Sequence, residues 1–219
     1  MRHYRGWGRA LALAVGLSCG AQAATAAALS VQVMDQRGKP VADAVVTLLG
    51  DAGTRAPAPR VHFIDQVGLT FVPYVDVLHP GDSVVFRNSD GTRHHVYSFS
   101  PVKAFDFVVD AGKRSEPLVL DKPGVVAVGC NIHDGMITYL YVTDAPVSGR
   151  TDAEGRVVFD GLPAGKFDVR VWQPRLPAGR PDLRQVAIAL GADERQTLVF
   201  PLTLRPDPRR QFDREHTHY

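Results

Sequence analysis

The chain has 219 residues, and its 25 lysines and arginines nearly balance 23 aspartates and glutamates, for a formal charge of +2. Three of the arginines fall within the first 23 residues, so the remainder carries about one net negative charge and lacks the basic excess of a nucleic-acid binder. One of the two cysteines, Cys19, lies in the same segment, and removing that segment leaves Cys130 with no intramolecular disulfide partner.

The opening MRHYRGWGR is basic and leads into ALALAVGLSCGAQA, an apolar run too short to span a bilayer. Residues 1–23 therefore read as a signal peptide. Ala21, Gln22 and Ala23 suit cleavage before Ala24, with a second option after Ala26. Cys19 does not read as a lipid anchor, because Gly16 and Leu17 stand where a lipobox wants a leucine and then a small residue. No later apolar run is long enough to cross a membrane. The expectation is a soluble periplasmic chain of about 195 residues, enough for one large domain or two small ones.

Short alternating segments then follow one another between Gly, Pro and Asp turn signals: LSVQV, DAVVTLL, YVDVL, SVVFR, HHVYS, FDFVV, VVAVG, ITYLYV, GRVVF, KFDVRVW, QVAIAL and QTLVFPL. In KFDVRVW, Phe167, Val169 and Val171 are expected to face a core while Lys166, Asp168 and Arg170 face water. No amphipathic segment exceeds two helical turns. The fold class expected is all-β, built from sandwiches.

Two textures interrupt one another. Residues 60–145 form a continuous unit, which is flanked by 29–58 and 146–205; a polar, mixed-charge tail over 206–219 reads as disordered. The flanks carry Val33, Asp35, Gly38, Pro40, Val41, Ala44, Val46 and Leu48, then Thr151, Asp152, Gly155, Phe159, Leu162, Pro163, Gly165, Phe167 and Val169. That pattern resembles the two halves of one carboxypeptidase regulatory-like or prealbumin-like β-domain. The middle unit would then be an insertion, which folds tolerate at exposed loops whose ends lie close together. The other reading is two short, unrelated appendages.

Within the middle unit, two motifs about 35 residues apart carry the chemistry. The first has Phe71, Pro73, Gly81, Val84, Phe86, Asn88 and Asp90, then His94, His95 and Val96. The second has Pro123 and Gly124, alternation through Val126 and Val128, then Cys130, His133 and Met136. Together they resemble the cupredoxins, the plastocyanin and amicyanin group of blue copper proteins, with the short C-x-x-H-x-x-M spacing of amicyanins. The resemblance implies a Greek-key β-sandwich with one type 1 copper near one end, held by His94, Cys130, His133 and Met136.

The residue types suit that chemistry independently of the family. A site that passes single electrons must tolerate both cuprous and cupric ions, which favours a thiolate, two imidazoles and a weak axial thioether. A structural zinc site would prefer more cysteines or a carboxylate over Met136. Metal binding also explains why an exported chain keeps an unpaired thiol. Alternation along HHVYS turns His94 and Val96 one way and His95 and Tyr97 the other; His94 is taken as the ligand, with His95 as its competitor. His95 would then stand where the resembling proteins have an Asn that ties the first ligand's strand to the cysteine loop.

Asn88 and Asn131 are candidates to brace the loop, and Asp134, beside His133, would lower the potential if close and poorly solvated. His62 and His79 read as isolated surface or turn residues, and His216 and His218 as part of the solvated tail. No nucleophile elbow, phosphate-binding turn or paired carboxylates can be placed, so the chain reads as a carrier, not an enzyme. The resemblance implies a protein redox partner such as a c-type cytochrome or a periplasmic dehydrogenase, as in methylamine utilisation, meeting a small apolar patch around Ile132 and Gly135. The rival expectations are a periplasmic copper-delivery module and an envelope interaction module with a structural cupredoxin unit.

Overall fold

The structure, a computed structural model, describes residues 26–51, 58–177 and 184–209. The expected signal peptide with Cys19, and His216 and His218 of the tail, lie outside these residues. The described elements are all strands, and the fold is all-β. The first two are β1 (Ala27–Asp35) and β2 (Val45–Gly50). Then come β3 (Val61–Gln66), β4 (Phe71–Val72), β5 (Val75–Leu78), β6 (Ser83–Asn88), β7 (His94–Ser100), β8 (Lys103–Val109), β9 (Leu118–Val119), β10 (Gly124–Cys130) and β11 (Ile137–Val142). The last five are β12 (Val147–Arg150), β13 (Arg156–Leu162), β14 (Gly165–Trp172), β15 (Arg184–Leu190) and β16 (Arg195–Leu202).

These strands make four sheets, ordered β13-β1-β16, β12-β2-β14-β15, β5-β11-β10-β7-β8 and β4-β3-β6-β9. Strands drawn from before residue 51 and after residue 146 make the first two, and the strands between them make the other two. Alternation decides which faces meet. Leu29, Val31 and Val33 of β1 pack with Val46 and Leu48 of β2, Phe167, Val169 and Val171 of β14, and Phe200 and Leu202 of β16. Ile64, Val84, Phe86, Val96, Val126, Val128 and Leu140 form a separate buried cluster in the central strands. Phe86, fully buried, meets Phe71, Phe105 and Phe107 at ring-centroid distances of 5.7–6.3 Å. Burying each such side chain stabilises the fold by about 1.5–3 kcal/mol.

The polar residues of the flanking motif close its turns. Asp35 accepts hydrogen bonds from the amides of Arg37 and Lys39, and Asp152 accepts one from the amide of Arg156. Buried Thr151 joins the two flanks: its Oγ1 donates to the carbonyl of Val41 and accepts from the amide of Ala44. Gly155 has φ +72°, and a Cβ there would lie 2.6 Å from the carbonyl oxygen of Val33. Only glycine combines that conformation with so close an approach.

The structure adds strands β3, β4, β9 and β12, which the alternation did not reveal. β4 and β9 have two residues each, too few for any period to register. β12 reads VSGR and is a strand because β2 pairs with it. β3 runs parallel to β6, from Val61 opposite Ser83 to Gln66 opposite Asn88, a pairing set by non-local contacts.

Candidate metal centre

The end of β10 and the start of β7 lie side by side. Cys130 pairs with Val96 and Gly129 with Tyr97, antiparallel, so the thiol emerges beside the first residues of β7. The chain then turns through residues 131–135, and the amide of Cys130 donates to the carbonyl of Met136 across the turn's mouth (3.2 Å). Gly135, at φ +77°, supplies the left-handed residue of this turn. The short closure returns His133 and Met136 to the neighbourhood of Cys130 before β11 begins.

Three donor atoms converge there. His94 Nδ1 lies 3.7 Å and His133 Nδ1 3.8 Å from Cys130 Sγ, and the two imidazole nitrogens are 3.1 Å apart. Among the described residues this is the one group of three or more His, Cys, Asp or Glu side chains compact enough to hold a metal ion. Two nitrogens at about 2.0 Å and a thiolate at about 2.3 Å from one ion in a trigonal plane would stand about 3.7 Å apart for N–S and about 3.5 Å for N–N. The observed triangle fits that size, with its two imidazoles drawn slightly together. His94 is fully buried, Cys130 is buried and His133 is half-buried. Met136, 3 % exposed, belongs to the same apolar cluster as Cys130.

Of the two adjacent histidines, the structure brings His94 to the thiol. The ring of His95 faces the other side of β7, where Nε2 meets Asp106 Oδ1 at 2.6 Å and Nδ1 lies 3.4 Å from Asn131 Nδ2. Its carbonyl also accepts the amide hydrogen of Asn131 (3.0 Å). Position 95 thus ties β7 to the cysteine loop, through backbone and ring together.

Asp90 is the functional residue that sequence reasoning left without a role. Its Oδ2 accepts from His94 Nε2 at 2.9 Å, on the far side of the ring from the thiol. In a neutral imidazole that bond places the proton on Nε2 and turns the lone pair of Nδ1 toward Cys130. The same carboxylate accepts the amides of Gly68 (2.6 Å) and Leu69 (3.1 Å). Burial pushes the Asp90 carboxyl up, but the bonds from Leu69, Gly68 and His94 outweigh it and hold the group below the ordinary carboxylate range. Asn88 anchors this turn: its amide donates to the carbonyls of Thr92 and Val109, and its Oδ1 accepts the amide of Asp90. The i, i+4 spacing of Asp90 and His94 across a non-helical turn carries no pairing signal in a sequence.

His62 and His79, expected to stand alone, do not. His62 bridges two carboxylates, with Nδ1 2.9 Å from Asp76 and Nε2 3.3 Å from Asp82, and His79 Nδ1 lies 3.9 Å from Asp82. The reason is the parallel pairing of β3 with β6, which carries His62 alongside Val84 and so close to Asp82 at the strand's entry. The two carboxylates lie on opposite sides of the His62 ring, so they do not converge on a point.

No family model matches the chain, and no curated protein does. Solved structures similar to part of it include a purple cupredoxin from Nitrosopumilus maritimus, at 18 % identity and TM-score 0.34, covering 37 % of this chain and 99 % of that one. An amicyanin variant in its reduced Cu(I) form is 17 % identical at TM-score 0.35, covering 45 % and 98 % of the two chains. A pseudoazurin from Sinorhizobium is 26 % identical at TM-score 0.32, covering 38 % and 74 %.

Proposed function

We propose that the protein is a periplasmic carrier of single electrons, with one type 1 copper held by His94, Cys130, His133 and Met136 in a cupredoxin unit. The observation that carries this reading is the triangle of Cys130 Sγ, His94 Nδ1 and His133 Nδ1, no side longer than 3.8 Å, beside buried Met136. A trigonal N₂S set with a thioether nearby suits copper in both of its biological oxidation states better than it suits zinc. When bound, the copper supplies reversible one-electron chemistry.

The chain's own residues set the conditions for that chemistry. Asp90 orients His94, and the Cys130–Met136 backbone bond fixes the loop that carries His133. Donors held by two strands and one short loop change little in position between oxidation states, which keeps reorganisation small. Burial of Cys130 and Met136 keeps water from the sulfur atoms. His133 is the more exposed imidazole, and neighbouring Ile132 is 47 % exposed. A redox protein, such as a c-type cytochrome or a periplasmic dehydrogenase, would meet the chain there in a small, short-lived contact.

The sheets formed by β1, β2 and β12–β16 are read as the split prealbumin-like domain, with the copper unit inserted between its halves. Their shared apolar cluster and the Thr151 bonds across the two flanks support that reading.

The test is direct. Purified protein loaded with cupric ion is expected to show an intense thiolate charge-transfer band and narrow paramagnetic hyperfine splitting, to cycle reversibly by one electron, and to lose the band in Cys130→Ser. Failure to take up copper, or a colourless copper complex, overturns the assignment; loss of the ion on reduction would favour delivery over electron transfer.

A further inference from the structure

The two pairs of sheets meet along a seam whose open end lies away from Cys130. On one side is the outward face of β2 and β14, where Val45 stands opposite Trp172, Thr47 opposite Arg170, and Leu49 opposite Asp168. On the other is the outer face of β10 and β11, where Val125 pairs with Tyr141. At one end the faces close in a buried cluster of Val45, Tyr74, Val75 and Trp172, backed by Ile137 and Tyr139. Toward Leu49 and Arg170, Pro123 and Asp144, they part and leave a cleft of about 400 Å³. The cleft opens at the Gly124 end of β10, six residues and so about 20 Å from Cys130.

The lining has a definite chemistry. Trp172 and Tyr141, with ring centroids 5.1 Å apart and planes tilted by 40°, form an aromatic corner. Leu49, Val125 and Pro123 add apolar wall. The polar groups are one cation, Arg170, one exposed anion, Asp144, and the hydroxyl residues Thr47 and Thr143. Clefts of this size at junctions between units, apolar with a few convergent polar groups, are where small ligands bind.

We infer that this cleft is a carbohydrate-binding site that takes a neutral pyranose ring. Charge balance narrows the ligand: one Arg and one Asp leave a simple anion or cation facing a like charge as well as an opposite one, and leave a net-neutral ligand favoured. A polyhydroxylated ring uses both, donating to the carboxylate and accepting from the guanidinium. Its C–H face meets half-buried Tyr141, whose ring packs on buried Trp172, a contact that an all-polar ligand cannot use. Charge-assisted hydrogen bonds of this kind are the strong ones. Because the walls come from different sheets, a bound sugar bridges the seam and stabilises the junction by mass action.

The inference does not depend on the metal and is tested without it. Trp172 is the one tryptophan outside residues 1–23, so its fluorescence in the processed, copper-free protein reports on this wall alone. Titration with glucose, galactose, N-acetylglucosamine, maltose and cellobiose, to tens of millimolar, is expected to give a saturable emission change and a raised melting temperature with at least one sugar. Arg170→Met and Asp144→Asn, both outside the buried cores, are each expected to weaken that binding about tenfold or more. The inference is overturned if no sugar gives a saturable response, if both variants respond like the unaltered chain, or if benzoate, an anionic aromatic probe, or phenylalanine, a zwitterionic one, binds where none of the sugars does.

Discussion

Asp90 and His94 share a hydrogen bond on the side of the imidazole that faces away from Cys130, with Oδ2 2.9 Å from Nε2. The same carboxylate holds the amides of Gly68 and Leu69, so a surface turn and buried His94 of the Cys130–His133 triangle are tied by one connected set of bonds. Asp90→Asn removes the charge while keeping a similar shape. We expect copper affinity to fall about 10- to 100-fold and the reduction potential to rise, because a negative charge near the site favours the more oxidised ion. Competition against a chelator and voltammetry measure the two; a variant matching the parent in both would leave Asp90 a role in the turn alone.

The adjacent histidines separate cleanly by substitution. His94→Gln takes a donor from the triangle and is expected to abolish the thiolate charge-transfer band. His95→Gln leaves the triangle intact and loses the contacts to Asp106 and Asn131, so the band is expected to persist with at most a small shift. Visible absorption of the two copper-loaded variants is the check, and the reverse result would exchange their roles.

Thr151 joins the two flanking segments, outside the strands that carry Cys130. Thr151→Val leaves the amide of Ala44 and the carbonyl of Val41 buried without their partner. The expected loss of stability is on the order of 1–3 kcal/mol, read by denaturant titration, with the copper spectrum unaltered. A spectrum that changes along with stability would indicate that the flanks and the central strands do not hold their structures separately.

His62 makes stability depend on pH. Its hydrogen bond to Asp76 raises the imidazole pKa above the ordinary 6.5; burial opposes this, and the charges of Asp76 and Asp82 add to the rise. A raised folded-state value stabilises the native chain fully below pH 6.5 and loses that contribution as pH climbs through the folded value. The stability difference between the parent and His62→Gln is therefore expected to be largest in mild acid, above the range where the carboxylates take up protons, and to shrink in the alkaline range. Urea melts across that interval test it; a difference that grows with pH would contradict the bridge.

Much of the candidate site was legible in the residues because its spacing is local. Cys130, His133 and Met136 sit within one turn, so a short loop after a strand brings them together almost irrespective of the rest of the fold. Period-two alternation likewise marked the strands that build the cores, because one side chain in two must leave water. It also turned His94 and His95 to opposite faces. Alternation cannot say which face receives the thiol: that follows from the register of β7 against β10, where Cys130 meets Val96.

What the sequence determined by itself was an all-β chain carrying a compact thiolate, imidazole and thioether loop, since periodicity and short spacing act between residues a few positions apart. The tertiary structure alone decided that Asp90 seats His94, that His62 bridges Asp76 and Asp82, that β3 and β12 become strands, and that Trp172 and Tyr141 wall a cleft. Each of these is a pairing between segments whose approach is set by the packing of whole sheets, and no local pattern of residues encodes such a distance.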